Sequence, residues 1–315
     1  MIFVDWISTK EHRSFNNSLF AALQLQGRPL YIFGDFMRVE GQDNRVLPDG
    51  SRLSRAWQVL KTCWKHRREP VFLLTYDIVP FPLLQLFCRR LYVYEHNTTP
   101  EGVYYRKYVI WQRLLFHRVL RFAQFRMQHE ILQRIGQNSV FLGSPLPEKS
   151  PLPRPNPSLY IAPSDRVEAE ELIKLKPFIG DSEVIIRKYN FTAEQMVEMK
   201  QGTNITFVSY IDADRCLPLT KAFLICLGAG ARGSGWFNEG IRYAIPLVIT
   251  NKAVQQVFED TFPGHPYIAL DRVSSLTEWD AALEKVSSFD SGDYIAAHNG
   301  RLRQIFETVT SGPGK

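Results

Sequence analysis

The sequence predicts an α/β protein of two domains, each a parallel sheet with helices on both faces. Three observations lead there: two series of short apolar runs spaced by helix-length segments, one proline-dense stretch between the series, and a 315-residue chain that is 45% hydrophobic and 22% charged. That length and apolar content suffice for two cores and do not fit a disordered chain. Short runs without polar alternation read as strands buried on both faces, the pattern of parallel sheets.

In the first half the expected strands are Ile2–Trp6, Leu30–Phe33, Val71–Thr75, Leu91–Tyr94, Phe122–Met127 and Val140–Leu142. Val71–Cys88 approaches the length of a bilayer span, but Asp77, Pro80 and Pro82 interrupt it, so it reads as a buried strand, a turn and a helix. Ser144–Pro157 then holds prolines at 145, 147, 151, 153, 155 and 157, a density that neither a helix nor a central strand tolerates. This stretch is the expected linker, giving domains 1–150 and 151–315. In the second half the expected strands are Leu159–Ala162, Glu183–Arg187, Ile205–Val208, Phe223–Leu227, Leu247–Thr250 and Tyr267–Leu270. Such sheets bind ligands beyond the carboxyl ends of their strands, and two in tandem leave a cleft between them.

Four cysteines, at 63, 88, 216 and 226, show no paired spacing, which argues against a zinc site or a disulfide framework and fits a reducing cytoplasm. Met1 leads directly into an apolar strand, so no cleavable secretion signal is expected.

The segment Phe223–Asn251, FLICLGAGARGSGWFNEGIRYAIPLVITN, reads as strand, Gly-rich turn, short helix and strand. Glycines at 228, 230, 233 and 235 let backbone approach a ligand, and the helix after them presents unpaired N–H groups and a positive dipole end, a diphosphate site. Pro246 ends the helix, placing Glu239 in or near its first turn.

Glu239–Val248, EGIRYAIPLV, resembles the donor-site pattern of nucleotide-sugar glycosyltransferases of the GT-B class, which have two Rossmann-like domains with parallel sheets facing across a cleft. The resemblance is firm over 205–251, moderate over 71–145 and weak elsewhere. It departs from the commonest retaining branch at Ala231, where those enzymes carry a glutamate that touches the donor sugar. It implies that Glu239 holds the donor ribose, that the backbone of Gly233, Ser234, Gly235 and Trp236 holds the diphosphate, and that Tyr210 and Ile211 meet the base. Arg232 is a further phosphate contact. Arg187 and Lys188, at the end of the expected strand EVIIR, supply cations for the departing nucleotide.

The expected strand Leu91–Tyr94 runs into Glu95, His96 and Asn97, where His96, with Glu95 beside it, is the leading catalytic candidate and resembles a histidine that faces the donor sugar in such enzymes. The loop after the first strand offers Glu11 and His12, and Asp35 ends the second strand, as acceptor-binding residues. Glu11, His12, Asp35 and Glu95 stand as alternatives for the catalytic base. No metal or other cofactor is expected beyond the nucleoside-diphosphate sugar as co-substrate, because this class relies on backbone dipoles and basic side chains; Asp212-Ala213-Asp214 is read as a chance Asp-x-Asp.

Charge divides unevenly: residues 1–155 hold 22 Lys+Arg against 12 Asp+Glu, and the remainder 16 against 20. Read as one helix, Val103–Phe122 places Arg106, Lys107, Arg113, His117, Arg118 and Arg121 within an arc of about 140°. That arc fits peripheral contact with an anionic membrane through Arg106, Lys107, Arg113, Arg118 and Arg121; the alternative is a solvated surface helix. A nucleic-acid partner is not expected, since no recognition motif accompanies the basic charge. The function expected is transfer of a sugar from a nucleoside-diphosphate sugar to a saccharide or lipid-linked acceptor. An epimerase of the same fold and a non-catalytic membrane scaffold remain the alternatives.

Overall fold

A computed structural model describes residues 1–7, 10–75, 81–95, 119–150, 152–164, 167–187, 191–228 and 235–311, apart from the side chains of residues 10, 11, 81 and 82. The chain forms two compact units, Met1–Pro147 with His298–Lys315, and Glu148–Ala297.

The first unit is built on strands β1 (Ile2–Val4), β2 (Pro29–Phe33), β3 (Asp43–Leu47), β4 (Val71–Leu73), β5 (Leu91–Glu95), β6 (Leu120–Ala123) and β7 (Ser139–Phe141). They lie in the order β3-β2-β1-β4-β5-β6-β7 with every pairing parallel. Among the described residues, the helices within 1–147 are α1 (Lys10–Ala22), α2 (Arg52–Lys65), α3 (Phe81–Phe87) and α4 (Arg126–Arg134). Successive strand residues point to opposite faces, so Phe3, Ile32, Phe72 and Phe122 pack with Leu19 and Phe20 of α1, while Val4, Phe33 and Val71 pack with Val59 and Cys63 of α2 and Leu84 of α3. Both faces are covered, which is why most of these strands are plain apolar runs. β3, DNRVL, is the exception: it is a largely exposed edge strand whose charges block further pairing, and the apolar pattern does not reveal it.

The second unit is built on β8 (Leu159–Ala162), β9 (Glu183–Arg187), β10 (Asn204–Val208), β11 (Thr220–Ile225), β12 (Leu247–Ile249) and β13 (Ile268–Ala269), in the order β10-β9-β8-β11-β12-β13 and again parallel. Its helices are α5 (Ala169–Ile173), α6 (Lys176–Ile179), α7 (Ala193–Lys200), α8 (Ala213–Cys216), α9 (Gly235–Tyr243), α10 (Lys252–Thr261) and α11 (Leu276–Ser287). Ala222, Leu224 and Cys226 face Leu172, Met199 and Trp279. On the other face Phe223 meets the Trp236 ring edge-on at 5.4 Å, and Phe237 meets Phe258 at 5.0 Å.

Helix α12 (Ser291–Ser311) begins in the second unit, but its residues from His298 onward belong to the first, where Leu302 and Phe306 join the core around Phe72 and Phe122. The sequence expectation assigned all of 151–315 to the second domain. Leu302 and Phe306, four residues apart on one helix face, are what draw the segment back.

A second difference concerns β6. Within the expected helix Val103–Phe122, Leu120–Phe122 are strand, and the strand stops because Gln128, at the start of α4, accepts from the N–H groups of Gln124 and Phe125. Arg121 therefore sits in the sheet. It has no exposed surface and forms an ion pair with Glu95, with Gln137 also bonded to its Nε at 3.4 Å. It does not face a membrane: a fully buried guanidinium is retained because a carboxylate on the next strand partners it.

Candidate active site

Each sheet reverses its strand order once, between β1 and β4 in the first and between β8 and β11 in the second. Ligands in open parallel sheets bind outside the carboxyl ends of the strands at such reversals.

In the second unit, β11 continues through Cys226 and Leu227 to Gly228, and this exit is tied to the segment after β8. Val167 bridges Leu227, and the Glu168 N–H donates to the Cys226 carbonyl at 2.8 Å. A Cβ at position 228 would overlap the exposed Glu168 carboxylate, which would have to swing aside to admit it. Helix α9 follows at Gly235, and the β-helix-β order puts its N-terminus at the carboxyl end of β11. Gly240 seats that helix on β12, since a Cβ there would stand 2.5 Å from Leu247 Cδ2. Glu239 lies in the second turn of α9 rather than the first. Burial raises its pKa, opposed by Arg242 at 3.8 Å. At the end of β12, Asn251 Nδ2 donates to Glu171 Oε1 at 3.2 Å, and Lys174 Nζ donates to the same oxygen at 2.7 Å.

In the first unit, Asp5 leaves the end of β1 fully buried. Its Oδ1 accepts from the Thr75 hydroxyl at 2.6 Å and the Ile7 N–H at 2.9 Å; its Oδ2 accepts from Asn16 Nδ2 at 2.6 Å and lies 2.6 Å from His12 Nδ1. Burial works to raise this carboxyl, but bonds from His12, Thr75 and Asn16, with the His12 charge, hold it below the ordinary carboxylate range. An ionised Asp5 fixes the proton on His12 Nδ1 and leaves the imidazole lone pair on Nε2, the arrangement of a general base. The His12 side chain is 12% exposed, with the Phe15 ring tilted against it at 5.5 Å.

No known protein family and no curated protein matches the sequence. Solved structures do. HepE of Anabaena in complex with UDP-glucose is 12% identical with a TM-score of 0.67, covering 99% of each chain. HepE in complex with UDP and glucose gives 10% and 0.66, covering 99% of this chain and 100% of that one. A glycosyltransferase from Rickettsia africae gives 10% and 0.55, covering 99% of each chain. The chain has the GT-B fold.

On the GT-B frame, the residues expected from sequence fall into three groups. Gly235, Trp236 and Glu239 gather on α9 at the β8/β11 reversal, and Arg187, half-buried, ends β9 beside β8. Ile211 is buried and Tyr210 exposed after β10, one strand further out. In the first unit, His12 stands at the β1/β4 reversal. Asp35 is exposed on a 3-10 turn after β2, paired with Arg38 at 2.8 Å. Glu95 is buried in its pair with Arg121 and does not present a solvated carboxylate. His96, Arg106, Lys107, Arg113, Arg118, Lys188, Arg232, Gly233 and Ser234 lie outside the described residues, as does the side chain of Glu11.

Sequence reasoning missed Asp5, Thr75, Asn16 and Glu168. Asp5 left a signal: it is the one charged residue in the opening run IFVDWI, and a carboxylate at the end of a buried strand needs donors around it. Glu168 left none, because its relation to Gly228 depends on the pairing of two loops 60 residues apart.

Among the described residues, no cluster of three or more His, Cys, Asp or Glu side chains could hold a metal ion, and no helix is long and apolar enough to cross a membrane.

Proposed function

We propose that the chain is a glycosyltransferase that moves a sugar from a nucleoside-diphosphate donor, bound by the second unit, to an acceptor hydroxyl bound by the first, with His12 as the base. The observation that carries this reading is the buried, ionised Asp5 bonded to His12 at the strand reversal of the first sheet. The HepE structures that share the fold were solved with UDP and UDP-glucose, which supports a nucleotide-sugar donor.

In the proposed reaction His12 Nε2 takes the proton of the acceptor hydroxyl as its oxygen attacks the anomeric carbon, and Asp5 stabilises the imidazolium that forms. The bond from that carbon to the diphosphate oxygen breaks, and the nucleoside diphosphate leaves. One direct displacement inverts the anomeric configuration. The helix α9 N-terminus and Arg187 offset the charge of the leaving diphosphate, so the step needs no metal or other cofactor. Glu239 holds the ribose.

The acceptor is a saccharide, in its finer form lipid-linked at the cytoplasmic membrane face in polysaccharide or glycoconjugate synthesis; the cationic excess of residues 1–155 favours an anionic acceptor carrier. Incubation with uridine-, guanosine-, adenosine- and thymidine-diphosphate sugars should give acceptor-dependent release of one nucleoside diphosphate, unaffected by chelator. Turnover of a nucleotide sugar without any acceptor would overturn the transferase reading.

A further inference from the structure

Helix α2 is apolar on two sides. Ala56, Val59 and Cys63 face the sheet. At 100° per residue, Leu53, Trp57, Leu60 and Trp64 share a second arc of about 60° that points elsewhere. Three of these side chains are open to solvent, Leu53 at 78%, Trp57 at 65% and Trp64 at 56%. The stripe continues onto α3, where the Phe87 ring meets Trp64 edge-on at 5.2 Å and Leu83 and Leu86, three residues apart, are also exposed, Leu86 at 80%. Five large apolar side chains on two adjoining helices make a contiguous surface of the kind that marks an interaction site.

The charge around this surface is mainly positive, with Asp49 paired to Arg55 and Glu69 bonded to His66 at its two ends. Residues 51–68 contain six Lys or Arg and no Asp or Glu. Lys61, Lys65 and Arg68 are exposed beside the stripe, Arg67 lies over the Trp64 ring at 5.0 Å, and the exposed Arg89 and Arg90 follow α3. A face of Trp and Leu bordered by Lys and Arg fits the boundary between headgroups and acyl chains of an anionic bilayer, where Trp rings settle at the interface and cations reach the phosphates.

We infer that the α2–α3 face of the first unit is a membrane-docking surface for anionic lipid. The residues that form this surface include none of 103–118 and none placed in the donor or acceptor site, so its test stands apart from catalysis.

The full chain is sedimented with vesicles of phosphatidylcholine alone and with vesicles of phosphatidylcholine mixed with anionic phosphatidylglycerol. The expected result is binding to the anionic vesicles with a blue shift of tryptophan emission. Leu53→Ser with Trp57→Ser and Leu86→Ser, all exposed positions, should weaken that binding at least about tenfold while far-UV circular dichroism and melting temperature hold. Lys61→Ser with Lys65→Ser and Arg68→Ser should weaken it by about a hundredfold, since each surface cation contributes about fivefold. Wild-type protein that stays in the supernatant, or variants that sediment equally well, would overturn the assignment. So would light scattering that shows a dimer which the Leu53, Trp57 and Leu86 replacements dissociate, because the face would then belong to a second copy of the chain.

Discussion

His12 Nδ1 lies 2.6 Å from Oδ2 of Asp5, a carboxylate with no exposed surface. The pair fixes the histidine tautomer from within the core. Replacing Asp5 with Asn keeps the shape but presents an N–H to Nδ1, which moves the ring proton to Nε2 and removes the base. Asp5→Asn and His12→Ala should each lower kcat about 10²- to 10⁴-fold with donor affinity retained. An undiminished kcat in either variant, measured as acceptor-dependent nucleoside diphosphate release, would remove the pair from the chemistry.

Glu239 gives a prediction in which stability and binding part ways. Its folded pKa is raised by burial above the ordinary 4.5, so the ionised form disfavours the folded state at neutral pH, and that penalty disappears below 4.5. Glu239→Gln should leave the neutral-pH melting temperature unchanged or higher, yet weaken nucleotide binding about tenfold. In the wild type, donor affinity should fall with acidification through a midpoint above 4.5, and in the variant that dependence should be absent. Titration calorimetry across pH checks both.

At Gly228 a methyl group has no room while the Glu168 carboxylate keeps its place. Gly228→Ala should destabilise by about 1 kcal/mol, whereas in a Glu168→Ser background the same change should cost at most a few tenths. Urea unfolding of the four proteins measures the coupling. Additive effects would show that the two residues do not compete for the space.

The buried pair of Arg121 and Glu95 predicts another asymmetry. Removing one partner, as in Glu95→Gln or Arg121→Met, strands a charge or a donor and should cost about 3–5 kcal/mol. Replacing both with Met and Leu should recover most of that loss.

His298, buried on α12, donates from Nε2 to the Ser144 carbonyl at 3.0 Å, and burial depresses its pKa from 6.5 to about 4. Its folded pKa lies below the unfolded one, so the unfolded chain binds the proton first and stability falls as pH drops from 6.5 toward 4. The full loss is about 3 kcal/mol. His298→Gln should flatten the stability curve over that interval, read by chemical denaturation at stepped pH.

Most of the fold was legible because both sheets are covered on two faces and their strands announce themselves as apolar runs. β3 was not: its side chains are half in water, and DNRVL looks like a loop. The strand-helix-strand order of β11, α9 and β12 was legible for a local reason, since apolar runs, helix and Pro246 all fall within one stretch of chain; residues 229–234 between them lie outside the described residues. The proposed catalytic pair was half legible. His12 was among the four candidate bases, but nothing in sequence joined it to Asp5 rather than to Glu11. Arg121 was misplaced because its helical spacing with Arg106, Arg113 and Arg118 is clear on paper, while the Glu95 that buries it is 26 residues away across a strand pairing.

Leu302 and Phe306 complete the packing of Phe72 and Phe122, and they are translated more than 150 residues after the last strand of that sheet. A ribosome that has made every strand of the first unit has therefore not yet made the layer that seals it. The N-terminal half must wait, partly uncovered, while the second unit is synthesised and free to fold, so the part of the chain made first is the part finished last.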